Sequence, residues 1–335
     1  MVEGGGLPLA RAVIPGGLNQ ERIVFLIALS LFVVFTLFLP GFIEAGNLIS
    51  LVRNVSILGL LGLGMALAII GRGIDLSMVA IMAISVAWIL NMVTNGMPIG
   101  VAILYGLVFT LAVGLINGIL IAYVEIPAIF ATLAMGTVVN GFGRAALIDS
   151  DVVYLPDVPP WFKEIGGGQS FGVPNPVFLL VLFCAIVFLL LRYTRPGRYL
   201  FGIGDNPQAA RIAGIPVRPT VVLQYLATSL IGFAAGVIMA TSVNVMNTRI
   251  ATSTMVYDVI LVVVIGGVGL SGGKGGVRNV IVGTLLIGIL LNGMTIMDIS
   301  YTVQNIIKSL ILLVAIIADS LVNPRDEQTS QQGDI

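Results

Sequence analysis

The chain has 335 residues, 58% of them apolar and 10% charged, and its mean hydropathy is +1.08; a soluble domain carries roughly 25% charged residues, so water is not its main solvent. Sixteen Lys and Arg balance sixteen Asp and Glu, so overall charge points neither to nucleic acid nor to an acidic partner. With no His, and with Cys184 alone inside the apolar run 177–191, disulfides, zinc or other metal sites and a Cys/His nucleophile pair are excluded or left without partners.

Residues 1–22 include Gly-Gly-Gly and read as an N-terminal tail. The first apolar run, Ile23 to Pro40, is longer than a signal-peptide core and lacks a small-x-small cleavage site, which makes it a retained first span. A helix crosses the hydrocarbon with about 20 mostly apolar residues, because unpaired backbone polar groups are too costly in lipid. Spans are predicted near 23–40, 48–70, 76–95, 99–123, 126–148, 176–193, 220–243, 255–270, 279–297 and 303–322. These ten spans describe an all-α polytopic membrane protein, one transmembrane domain over 23–322, with both termini on the same side.

Short loops rich in Lys and Arg stay in the cytoplasm. The segment 192–218 holds Arg192, Arg195, Arg198, Arg211 and Arg218 against Asp205, whereas 149–175 holds Asp149, Asp151, Asp157 and Glu164 against Lys163. The loop 194–219 is therefore predicted inside and the loop 149–175 outside, which puts both termini, including the polar tail 323–335, in the cytoplasm. Parity also puts Lys274 and Arg278 inside; Arg249 is the exception.

The run Gly71-Arg72-Gly73-Ile74-Asp75-Leu76-Ser77 interrupts two apolar spans with two glycines and two charges. Discontinuous helices often line transport sites, and a charge at membrane depth usually faces a partner or a wet cavity. The same run is equally compatible with a short turn in which Asp75 caps the next helix. Further along, Asn206 as N-cap, Pro207 at the first helical position and Gly214 as terminator mark a small helix in the basic loop. Ala209, Ala210, Ile212 and Ala213 give it an apolar side, with Gln208 and Arg211 polar. It either docks against something or simply caps the loop.

A second glycine cluster runs through Gly266, Gly267, Gly269, Gly272, Gly273, Gly275 and Gly276. A phosphate-binding loop is excluded there: the spacing before Lys274 requires glycine at 268, which is Val268, and Gly275 stands where the hydroxyl residue belongs. A hinge, or tight helix packing, is the better expectation. Polar residues inside the spans include Asn54, Asn91, Asn117, Thr132, Thr137, Asn140, Gln224, Thr228, Ser229 and Asn292; such residues mostly join helices. Asp75, Asn117, Thr132, Asn140, Arg144 and Asn292 are the candidates for a solute path. Arg144 either snorkels outward or serves as a gate contact, with Asp149 or Asp151 as its partner.

Three motifs in order, Gly73 to Ser77, the stretch from Thr194-Arg195-Pro196-Gly197-Arg198 to Gly204-Asp205-Asn206-Pro207 and Ile215, and Ile265-Gly266-Gly267 to Gly272-Gly273, resemble the permeases of bacterial sugar ATP-binding-cassette importers. The resemblance runs roughly from the second span to Asp319. It implies a non-catalytic inner-membrane subunit that binds no cofactor and pairs with a second, often identical, permease chain. Cytoplasmic ATPase subunits, which use ATP and Mg, would dock on the helix 206–214 as the coupling element. A periplasmic binding protein would deliver a monosaccharide or polyol. Met78-Val79, Ala145, Asp205 and Ser309 depart from the family's usual Val-Gly, Gly, Gly and Gly, so the resemblance does not select one sugar.

A permease for branched-chain amino acids or nucleosides is the nearest rival. An ion-coupled carrier would want acidic residues within its spans, where only Asp258 and Asp298 come close. A membrane enzyme would need an acid, base, nucleophile or metal cluster, which the chain does not offer.

Overall fold

The computed structural model describes residues 20–322. In chain order they form α1 (Gln20–Phe38), α2 (Ala45–Ile70), α3 (Met78–Thr94), α4 (Ile99–Ala122) and α5 (Ala128–Phe142), the last extended by a π-helical turn, Gly143–Leu147. An excursion follows: β1 (Val152–Tyr154), α6 (Pro160–Gly167), β2 (Gln169–Ser170) and β3 (Val173–Pro174). Then come α7 (Asn175–Tyr193), α8 (Arg195–Asp205), α9 (Pro207–Ile212), α10 (Val217–Val243) and β4 (Val245–Asn247). A 3₁₀ turn at Thr248–Thr252, α11 (Met255–Ile265), α12 (Val277–Ile296) and α13 (Tyr301–Val322) complete it. The expected tail 1–22 lies outside the described residues except for 20–22, which already belong to α1; the tail 323–335 lies outside entirely.

Among the described residues, six helices are long and apolar enough to cross a membrane: α1, α2, α4, α7, α10 and α12. The predicted spans at α3, α5 and α11 have only 17, 15 and 11 helical residues. At 1.5 Å per residue α11 reaches about 17 Å, roughly half the hydrocarbon thickness. The expected span 255–270 overshoots because Gly267 takes φ +96°, a left-handed conformation that ends the helix although the apolar run continues to Leu270.

The long α2 runs through the middle. It is apolar all round rather than on one stripe, so it is buried on every side from Ser56 to Ile70. Its neighbours are α7, α8, α10, α11 and α12. Gly62 and Gly64 let α12 and the start of α3 approach: a Cβ on Gly62 would lie 2.9 Å from Val280 Cγ1, and one on Gly64 2.8 Å from Met78 Sδ. The peripheral helices α1, α7 and α13 instead carry large exposed side chains such as Leu37, Phe38, Val181 and Val314, a surface suited to lipid.

At the far end of α2 from Ile70, the acidic segment is tied down. Strand β1 pairs antiparallel with β4, Val152 opposite Asn247, and Ser242 Oγ donates to the Gly166 carbonyl at 3.1 Å. Asp151 there accepts from Arg249 Nε at 2.9 Å and pairs with Arg144.

Candidate functional site

The interruption between α2 and α3 is built first by backbone geometry. The amide of Gly73 bonds the Ala68 carbonyl at 2.8 Å and that of Arg72 bonds Ile69 at 2.9 Å. This pair of bonds is a Schellman motif, whose terminal residue is normally glycine because it must be left-handed. Here that residue is Arg72, at φ +67°, a conformation costing an L-residue roughly 1–2 kcal/mol. The same motif closes α9 at Gly214 and α11 at Gly267, both with positive φ.

Side chains from α4, α5 and α10 then enclose the break. Fully buried Asp75 is the hub. Its Oδ1 accepts from the Ser77 amide at 3.0 Å and the Ser77 hydroxyl at 2.6 Å, and its Oδ2 accepts from Thr228 Oγ1 at 2.6 Å. Asn117 Nδ2 donates to Ser77 Oγ at 2.8 Å. Thr132 Oγ1 accepts from the Leu76 amide at 3.1 Å, and its one proton faces the Ala128 carbonyl at 2.8 Å and the Ile74 carbonyl at 3.0 Å. Gln224 Nε2 donates to the Ala68 carbonyl at 2.8 Å. A Cβ on Gly71 would collide with Gln224 and one on Gly73 with Tyr225, so these glycines supply room for the cage.

Asp75 bonds to hydroxyls and an amide rather than forming an ion pair with Arg72. Its carboxyl group lies two residues before Ser77, the N-cap of α3. Asp75 thus holds the N-cap residue of α3 through that residue's amide and hydroxyl. Four further buried polar atoms here, Asn117 Oδ1, Gln224 Oε1, Tyr225 OH and Ser229 Oγ, have no hydrogen-bond partner among the described residues. Unmade bonds of this kind cost about 1–3 kcal/mol each.

Of the solute-path candidates, Asp75, Asn117 and Thr132 come together and the others do not. Asn140 lies two turns beyond Thr132 on α5. Arg144 is half-exposed beside Asp151. Asn292 exchanges reciprocal amide bonds with Asn47 at 3.0 and 2.8 Å, joining α12 to the opposite end of α2. Tyr225 is the cage residue that polarity alone did not single out.

The basic loop contains two helices rather than the one expected. Thr194 Oγ1 caps α8 by accepting from the Gly197 amide at 3.2 Å, and Asn206 Oδ1 caps α9 by accepting from the Gln208 and Ala209 amides at 3.0 and 2.9 Å. The expected apolar side of α9 is divided. Ala210 is 4% exposed and packs inward with Ile203, Val217, Val221 and Tyr225, while Ile212 is 89% exposed.

In the glycine cluster, Gly266 lies against the Asn279 carbonyl, and Asn279 Nδ2 donates back to the Gly266 carbonyl at 2.8 Å. The amides of Gly272 and Gly273 are used, on Gly269 at 3.0 Å and Ile70 at 2.9 Å, so they do not form an anion cradle. Elsewhere, Asp258 on α11 and Lys308 on α13 form a 2.8 Å ion pair with side chains only 15% and 6% exposed; opposite charges in two apolar helices were the signal for it.

Comparison with known proteins gives a consistent picture. Residues 47–318 match the family described as branched-chain amino acid transport system / permease component. The chain is 33% identical over 303 residues to the ribose import permease protein of Bacillus subtilis, covering 90% of this chain and 94% of that one. It is 34% identical over 295 residues to the L-arabinose transport system permease protein of Escherichia coli, covering 86% and 87%. A probable ABC transporter permease protein of Escherichia coli is 30% identical over 321 residues, covering 94% and 93%. No solved structure matches the chain.

Proposed function

Because the chain belongs to the branched-chain amino acid transport system / permease component family, we propose that it is the transmembrane subunit of an ATP-driven importer of a monosaccharide or polyol. The sugar class rests on the ribose and arabinose permeases that resemble it along most of their length. A branched-chain amino acid is the second reading, favoured by the family's description.

In this reading residues 23–322 form the permease domain in the cytoplasmic membrane, with ten crossings and both termini inside. The short α3, α5 and α11 cross where other helices shield their ends, as interrupted transporter helices do. The α2–α3 break, the loop 194–219 and the glycine cluster then face the cytoplasm, and the acidic loop 149–175 receives a periplasmic binding protein. The permease pairs with a second copy and with ATPase subunits that use ATP and Mg. Asn206 to Gly214 is the docking element.

The exposed Ile212 carries the docking assignment. A nearly bare isoleucine in the last turn of a doubly capped helix, next to Arg211, suits an apolar pocket on a partner. Ile212→Glu is expected to lower co-purification of the ATPase and ATP-dependent uptake together. Undiminished association and uptake would refute the assignment. Uptake into vesicles, tested with pentoses, hexoses, polyols and branched-chain amino acids, identifies the solute class; uptake driven by an ion gradient without ATP would instead establish a secondary carrier.

A further inference from the structure

Three backbone segments distant in sequence meet where α2 ends. The Gly273 amide donates to the Ile70 carbonyl at 2.9 Å. Gly204, in the last turn of α8, lies so close that a Cβ there would fall on the Ile70 carbonyl and the Gly273 amide. Gly272 stacks on the same spot: its Cβ would stand 2.9 Å from the Gly204 carbonyl and 3.2 Å from Arg72 Cβ. A Cβ on Gly273 would stand 2.8 Å from the Asp205 amide nitrogen. At the other end of α8, Gly197 sits directly on the backbone of Leu190 and Leu191.

These contacts differ in kind from ordinary side-chain packing. A side chain between two helices can change rotamer and absorb a shift; backbone against backbone has no such freedom. The buried face of α8, Gly197, Leu200, Ile203 and Gly204, makes it a short strut clamped at both ends. Its last residue, Asp205, is separated from α9 by one residue, the cap Asn206. On the far side of the junction, Ile70 is followed by the break that holds Asp75.

We propose that Gly204, Gly272 and Gly273 are positioning residues that pass displacement of the α9 loop to the end of α2 and so to the Asp75 cage, with α8 and the segment 272–273 moving as one body. The proposal rests on the reading that α9 docks the ATPase, and it names the transmission point within this chain. Movement at α9 then reaches the cage by two routes: through the Gly204 junction to α2, and through α10, which begins just after α9 and carries Gln224 and Thr228.

The test uses the assembled importer in proteoliposomes. Gly204→Ala and Gly273→Ala are expected to keep ATPase association and ATP hydrolysis while lowering solute moved per ATP by about 2- to 30-fold. Gly276→Ala, at an extended glycine with open space around it, is the control and keeps the ratio. Normal coupling in both junction variants overturns the proposal. Should they fail to fold, spin labels at Arg198→Cys and Ser271→Cys, in a Cys184→Ser background with the glycines intact, give an independent answer. A separation unchanged between resting and ATP-trapped states supports one rigid body, and a changed separation overturns it. Failure of the docking reading is seen separately, as full ATPase association by Ile212→Glu.

Discussion

Replacing Thr228 with Val removes one donor from a carboxylate that has no solvent to replace it. Thr228 and Asp75 are fully buried, and their 2.6 Å bond joins α10 to the break between α2 and α3. A hydrogen bond to a charged group contributes about 1.5–3 kcal/mol, more than a neutral one because the acceptor's charge is otherwise left to desolvation. Neutral bonds between membrane helices average only about 0.6 kcal/mol in double-mutant cycles. The expectation for Thr228→Val is therefore a loss of about 1.5–3 kcal/mol, with a coupling to Asp75→Asn well above the neutral average. The assay is unfolding of the wild type, both single variants and the double variant in mixed micelles of rising SDS content. A coupling at or below about 0.6 kcal/mol would refute the reasoning that an ionised carboxylate organises the cage. Asp75→Ala should also reduce uptake, and wild-type uptake would reduce Asp75 to a dispensable helix cap.

Two ion-pair sites make contrasting predictions. Lys308→Met strands Asp258 in an apolar setting and is expected to cost about 3–5 kcal/mol, whereas Asp258→Leu combined with Lys308→Met restores most of that loss; the same micelle titration measures both. Asp151→Asn releases Arg144 and Arg249, whose side chains are 45% and 73% exposed, so it should cost no more than about 1 kcal/mol, a difference that fades in high salt.

The three glycine motifs prove to be one place rather than three. Each reads in sequence as a local interruption, yet Ile70, Gly204 and Gly273 share a single backbone junction. This explains why glycine is needed at 204, where the dihedrals are helical and no turn requires it: the requirement is space, not conformation. Gly214 is the reverse case, with positive φ and nothing within 4 Å of its would-be Cβ.

What the sequence determined by itself was local or additive. The solvent of the chain follows from its summed hydropathy, and the caps at Asn206, Pro207 and Gly214 follow from dihedral and hydrogen-bond preferences acting within a few residues. The start of α8 at Thr194-Arg195-Pro196 carries a signal of the same kind, a capping side-chain oxygen followed closely by Pro, although only one helix, 206–214, was expected in that loop. The break at 71–77 was visible because glycines and charges interrupt an apolar run. Only the tertiary structure decided that Asp75 bonds Thr228, 153 residues away, instead of nearby Arg72, that Ala210 faces inward while Ile212 does not, and that α11 stops at Ile265. These outcomes depend on which helices lie side by side, and nearly uniform apolar spans carry little information about their neighbours, because in lipid every face of such a helix is equally soluble and packing, set by small residues and rare polar groups, makes the choice.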